Sequence, residues 1–129
     1  MSLRRRAYLS EAVADIILKQ LGGAGRLRAM IGARDIMSEN GGKTLVFKFP
    51  NKQRSKPNCI KITLTSMDLY DVEFGRVGQK QDPKFKGLGF KVMTPTYKKL
   101  KTYKGIYADM LMDIFEEQTG LYLTLSPRR

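Results

Sequence analysis

Three acids near the C-terminus, Asp109, Asp113 and Glu116, stand at i, i+4 and i+7. That spacing puts three carboxylates on one helix face, and clustered carboxylates are how many nucleases hold Mg²⁺. The same pattern is the solvated side of an ordinary amphipathic helix, and no partner base accompanies it. The chain has no histidine and a single cysteine, Cys59. A Ser–His or Cys–His nucleophile system is therefore excluded. A zinc site would have to be built from carboxylates alone, and an internal disulfide cannot form. The expectation is a binding protein with no cofactor, and a metal-dependent nuclease is the minor reading.

The cations form a clearer pattern. Lys52-Gln53-Arg54-Ser55-Lys56 is one basic segment, Lys80, Lys84 and Lys86 a second, and Lys98, Lys99, Lys101 and Lys104 a third. Such series suit a polyanion, because each neutralised phosphate releases condensed counterions. Aromatic rings are interleaved: Phe85 between Lys84 and Lys86, Phe90 before Lys91, and Tyr97 and Tyr103 in the lysine-rich segment. Rings of this kind stack on unpaired bases, worth about 1–3 kcal/mol per base. Phe90 fits a core position by strand alternation, whereas Tyr97 and Tyr103 suit a stacking platform and an amphipathic rim equally. The candidate contacts are Lys52, Arg54, Lys56, Lys80, Lys84, Lys86, Lys98, Lys99 and Lys101, with Tyr97 and Phe85 as stackers. The bland reading of the same charges is a solubilising surface.

Two further runs carry less. Arg4-Arg5-Arg6 reads as a solvated tail before it reads as an arm tracking a groove. The glycines between Leu21 and Arg26 follow a helix, so they terminate it and do not cradle a phosphate.

Composition agrees with a basic, folded domain. The 129 residues include 24 Lys+Arg and 12 Asp+Glu, a net charge of +12. Between Arg26 and Lys104 stand 18 basic and 6 acidic residues, so this stretch holds the whole excess. Residues 105–129 run the other way, with Asp109, Asp113, Glu116 and Glu117 against Arg128 and Arg129. A hydrophobic content of 42% with six Tyr and six Phe is enough for one packed core. The expected organisation is a basic tail over 1–8, one domain over 9–125 and a short tail over 126–129. No signal peptide or membrane span is expected.

The elements that must position these residues follow from period. Leu9, Val13, Ile16, Ile17 and Leu21 predict a helix, with Ser10 as its cap and Gly22-Gly23 as its stop. Leu27, Ala29 and Ile31 alternate, which predicts a short strand or irregular edge over 26–31. Asn40-Gly41-Gly42 predicts a turn into a strand over 44–49, closed by Pro50. The strongest β signal is the hairpin of residues 60–65 and 70–77 about Ser66-Met67-Asp68, one face apolar and one charged, with Lys61 near Asp71 or Glu73. Residues 78–87 read as a basic loop, and Leu88, Phe90 and Val92 as a strand. A C-terminal helix starts at Ile106, with Tyr107, Met110, Leu111, Ile114 and Phe115 as its stripe. Gly120 ends it, and Leu121, Leu123 and Leu125 predict a short last strand.

The predicted fold class is α+β: a single antiparallel sheet of four to five strands in meander order, flanked by an N-terminal and a C-terminal helix. The lysines are expected on the sheet face away from the helices. Loops 51–58 and 78–87 join the hairpin from the end opposite its turn, so their charges are expected to gather at one end.

Several runs together resemble a group of small, functionally unassigned proteins encoded by bacteriophages and bacterial mobile elements. They include Ala29-Met30-Ile31-Gly32-Ala33, Val46-Phe47-Lys48-Phe49-Pro50, the stretch Met67 to Arg76, Gly105 to Leu111, and Phe115 to Leu123. The resemblance covers about residues 17–125 and implies a setting, the cytoplasm of a bacterial host, without a mechanism or catalytic residues. In architecture alone the outline is similar to Whirly-type folds, which bind single-stranded DNA as oligomers, so a homo-oligomer is one expected partner state. The functional expectation is an accessory protein that binds DNA or RNA through its basic face, largely without sequence specificity. The alternative is a protein-interaction module that engages a host protein or nucleoprotein, for example as an inhibitor of a defence nuclease.

Overall fold

The computed structural model describes residues 13–85, 87, 89 and 91–123. It is an α+β fold in which five antiparallel strands form one open sheet in meander order. Two helices precede the sheet, α1 over 13–20 and α2 (Ala24–Ile31), and α3 (Leu111–Thr119) follows it. The strands are β1 (Arg34–Glu39), β2 (Thr44–Lys48), β3 (Cys59–Leu64), β4 (Tyr70–Gln81) and β5 (Met93–Ile106).

Register decides which face each side chain takes, because successive residues in a strand point to opposite sides. Leu45, Ile62 and Val72 lie opposite one another across β2, β3 and β4, and so do Phe47, Ile60 and Phe74. These six are buried and pack with Ile17 and Leu21 of α1, Leu27 and Ile31 of α2, and Leu111 and Phe115 of α3. Phe115 closes an aromatic group with Phe47 and Phe49, its ring centroid 6.2 and 5.1 Å from theirs. Burying side chains of this size is worth about 1.5–3 kcal/mol each, which is why the helices cover this face and leave the other open.

Several expectations are corrected. Residues 26–31 form a helix, not a strand: α2 buries Leu27 and Ile31 at i, i+4 and leaves Ala29 exposed. Gly32 ends it with φ 70 in the left-handed region, its N–H bonded to the Arg28 carbonyl. The first strand is instead Arg34–Glu39, bulged where Asp35 takes φ 53 and the pairing with β2 shifts between Arg34 and Met37. β4 does not stop at Val77 but runs to Gln81, and residues 97–104 are the body of β5. Residues 106–110 precede the last helix, partly as a 3₁₀ turn, and α3 itself begins at Leu111. Residues 121–123 are not a strand, and Leu125 lies outside the described residues. So do Arg4-Arg5-Arg6, Leu9, Ser10, Lys86, Leu88, Phe90 and most of both expected tails. Among the described residues no helix is long and apolar enough to cross a membrane.

Candidate nucleic-acid interface

The open face of the sheet carries lysines, as expected, but each of four is matched by an acid. Lys48 pairs with Asp35 at 3.8 Å, Lys61 with Glu39 at 3.7 Å, Lys99 with Glu73 at 3.7 Å and Lys104 with Asp71 at 3.9 Å. Lys61 stands opposite Glu73 in register, yet its ion pair is with Glu39. All four pairs reach solvent, so each adds only about 0–1 kcal/mol to stability. Their consequence is electrostatic: these four lysines are balanced locally, and Arg34, opposite Lys48, is the cation on this face left without an ion pair among the described residues.

Most of the unbalanced charge lies elsewhere. From Gly75 to Lys104 stand nine basic residues and one acid, Asp82, and residues 51–58 add Lys52, Arg54 and Lys56 with no acid. β3 begins at Cys59, opposite Gly75. Asn58 carries the ladder one step further with its side chain, which accepts the Val77 N–H at 2.7 Å and donates to the Val77 carbonyl at 2.9 Å. Beyond that point β4 pairs only with β5, from Gly78↔Thr96 to Gln81↔Met93. The two strands thus extend past the sheet as a ribbon, which β4 leaves at Gln81 and β5 rejoins at Met93. Just beyond β4, Asp82 accepts the Lys84 N–H on its carboxylate while its own N–H reaches the Val92 carbonyl.

Arg76 joins this ribbon to loop 51–58. Its guanidinium donates to the carbonyls of Asn51, Gln53 and Lys56, at 3.1, 3.1 and 3.0 Å. Asn51 donates in turn to the Thr119 carbonyl at the end of α3. The loop is therefore drawn to the helix side of the sheet. Arg76 shares the parity of Phe74, and so does Lys80, while Lys98 is opposite Arg76 and Lys101 opposite Phe74. Lys80, Lys98 and Lys101 accordingly lie on the same side as Lys52, Arg54 and Lys56. A shift in register between Phe74 and Gly75 admits one extra residue in β5. That bulge is why Lys99 and Lys101 take opposite faces. Lys101 leans over the Tyr103 ring, 5.6 Å from its centroid.

The sequence candidates thus divide. Six of them, Lys52, Arg54, Lys56, Lys80, Lys98 and Lys101, share the helix side, and no ion pair engages any of them among the described residues. Lys84 is exposed just beyond β4, Phe85 half-buried beside it, and Lys86 lies outside the described residues. Lys99 and Tyr97 fall on the open face with Glu73. The Tyr97 hydroxyl donates to the Glu73 carboxylate at 2.6 Å, and its ring lies over Gly75, where a Cβ would overlap it. Burial, that hydrogen bond and the Glu73 charge together raise the Tyr97 hydroxyl well above its usual range. Burial likewise pushes the Cys59 thiol up, against the pull of Lys48 and Lys61. On the same open side, the base of the ribbon walls a groove of about 350 Å³ in which Lys48 already meets Asp35.

Sequence reasoning passed over Arg76, Thr94 and Thr96. Arg76 was legible only as one more cation, and the two threonines have no signal apart from their place on the ribbon. The carboxylates do not assemble into a centre: among the described residues no group of three or more Asp, Glu or Cys could hold a metal ion. Glu116 spends its carboxylate on the Leu123 N–H. Compared with known proteins, the chain matches no family model, no curated protein and no solved structure.

Proposed function

We propose that the protein binds nucleic acid through the helix side of its β4–β5 ribbon and loop 51–58, mainly by phosphate contacts and with little sequence preference. The observation that carries this reading is the separation of charge. Lysines on the open face are neutralised pairwise, whereas Lys52, Arg54, Lys56, Lys80, Lys98 and Lys101 on the ribbon and loop make no ion pair among the described residues. A surface serving solubility alone has no need of that division, while a polyanion is attracted by it over about a Debye length, near 10 Å at 0.1 M salt. The setting we propose is a phage or bacterial mobile element acting in its host's cytoplasm, which rests on the resemblance of the sequence runs above.

Fluorescence anisotropy with labelled DNA and RNA, titrated from low to high salt, tests the reading. With five or six phosphates contacted, the logarithm of affinity should fall against the logarithm of salt with a slope of about −4 to −5. Preparations made at low salt should also carry an elevated 260/280 absorbance ratio. A shallow slope, or no binding at low salt, would sink the proposal and leave the cationic side as a surface for an acidic protein partner.

A further inference from the structure

Of the features of this molecule, the ribbon is the one whose shape, beyond its charge, constrains a ligand. We infer that its target is double-stranded DNA and that the ribbon lies in the major groove; this deepens the nucleic-acid reading and rests on it.

Two strands 4.8 Å apart, with their side chains, make a ribbon about 10 Å across, which suits a major groove about 12 Å wide and exceeds a minor groove of about 6 Å. The helix-side face of the ribbon has a profile that suits entry. Gly78 has no side chain, Thr94 and Thr96 are short, and Lys80 stands opposite Thr94. The Thr94 hydroxyl makes a long bond to the Lys80 carbonyl, at 3.4 Å. Short hydroxyls accept and donate to any base edge, so this face predicts contact without strong sequence choice. Lys98, opposite Arg76, is four residues from Lys80 along the ribbon. That is about 14 Å along the groove, and because Lys80 is on β4 and Lys98 on β5 each ammonium is nearer the phosphate wall on its own strand's side. Lys52, Arg54 and Lys56 lie on the same side at the base of the ribbon, held by Arg76, where the flanking backbone would pass.

The other strand types fit less well. An RNA duplex has a major groove too deep and narrow for a ribbon. A single strand offers no groove, and its bases would look for rings. Of the two candidate stackers, Tyr97 is on the opposite face and bound to Glu73, and Phe85 is half-buried.

The test uses the full chain with a DNA duplex, an RNA duplex and single-stranded DNA of equal length. We expect the DNA duplex to bind about tenfold tighter than either of the others at moderate salt. Methyl green, which occupies the major groove, should displace the protein, and netropsin, which occupies the minor groove, should not. The double variant Lys80→Ala/Lys98→Ala, both exposed positions, should lose about tenfold in duplex affinity and about 1.8 in salt slope. Its far-UV circular dichroism should be unchanged. Equal or tighter binding to RNA duplex or single strand, or displacement by netropsin in place of methyl green, would overturn the groove assignment and leave the nucleic-acid reading standing. Binding to none of the three at low salt would overturn both.

Discussion

Gly75 and Tyr97 form a close contact that depends on the glycine's missing side chain. A Cβ built on Gly75 would overlap the Tyr97 ring and hydroxyl. The ring is half exposed, so in Gly75→Ala it can swing away, at the cost of its bond to Glu73. The expected loss is about 1 kcal/mol, the ordinary worth of one hydrogen bond. In a Tyr97→Ala background the same substitution should reverse sign and stabilise by about 0.5–1 kcal/mol, because glycine within a strand is entropically costly. Urea unfolding of the four proteins in this cycle measures both values. Tyr97 also sets an alkaline dependence. Its proton is held more tightly in the folded protein than in the unfolded chain, where the pKa is about 10. Its stabilising effect is therefore complete below that pH and is lost as pH rises through the elevated folded value. The stability advantage of the wild type over Tyr97→Phe should hold constant up to about pH 10 and shrink as pH rises beyond it. A constant gap would show that the hydroxyl titrates alike in both states.

Among the elements, the β4–β5 pair is distinctive because it outgrows its sheet. Strands of 12 and 14 residues stand beside strands of five and six. β5 is an edge strand, and its Pro95 and lysines suit that position, since they discourage pairing with another sheet. Loop 51–58 is held against this pair by the Arg76 guanidinium with three backbone acceptors, and at its end by Asn58, which bonds Gly75 and Val77. Arg76→Ala should cost about 2 kcal/mol, in the range of hydrogen bonds to charged groups. It should also speed amide hydrogen exchange within residues 51–58 while leaving the centre of the sheet protected. Arg76→Lys should restore protection only in part, because all three acceptors meet one guanidinium nitrogen, which the shorter lysine side chain must reach with its ammonium.

For the molecule as a whole, net charge is a poor guide to where a polyanion would sit. Lys61→Ala/Lys104→Ala and Lys52→Ala/Lys56→Ala remove the same two charges, the first from ion-paired positions and the second from unpaired ones. We expect the second variant to lower the salt slope of binding by about 1.8 and the first to leave it unchanged. Equal losses would mean that nucleic acid responds to total charge alone, and the division of the surface into two electrostatic sides would have no functional consequence.

The central hairpin, its register and the paired core residues were readable from the sequence because alternation at period two leaves one solution when a single face is buried. The fold class followed from that hairpin and the apolar helical stripes. α2 was misread because six residues with apolar side chains at 27, 29 and 31 satisfy period two and nearly satisfy 3.6, and only the sheet beneath shows that Leu27 and Ile31 are the buried pair. β1 escaped notice because Arg-Asp-Ile-Met-Ser-Glu at a bulged edge has no alternating pattern. The ribbon left no trace for a related reason: two strands exposed on both faces bury nothing, so Gly-Gln-Lys-Gln reads as loop until its partner strand is seen. The sequence alone determined how much positive charge there is and in which segments. Which lysines meet an acid and which stand clear was decided by register, by a one-residue bulge in β5 and by Arg76, because pairing depends on positions across strands and not along the chain.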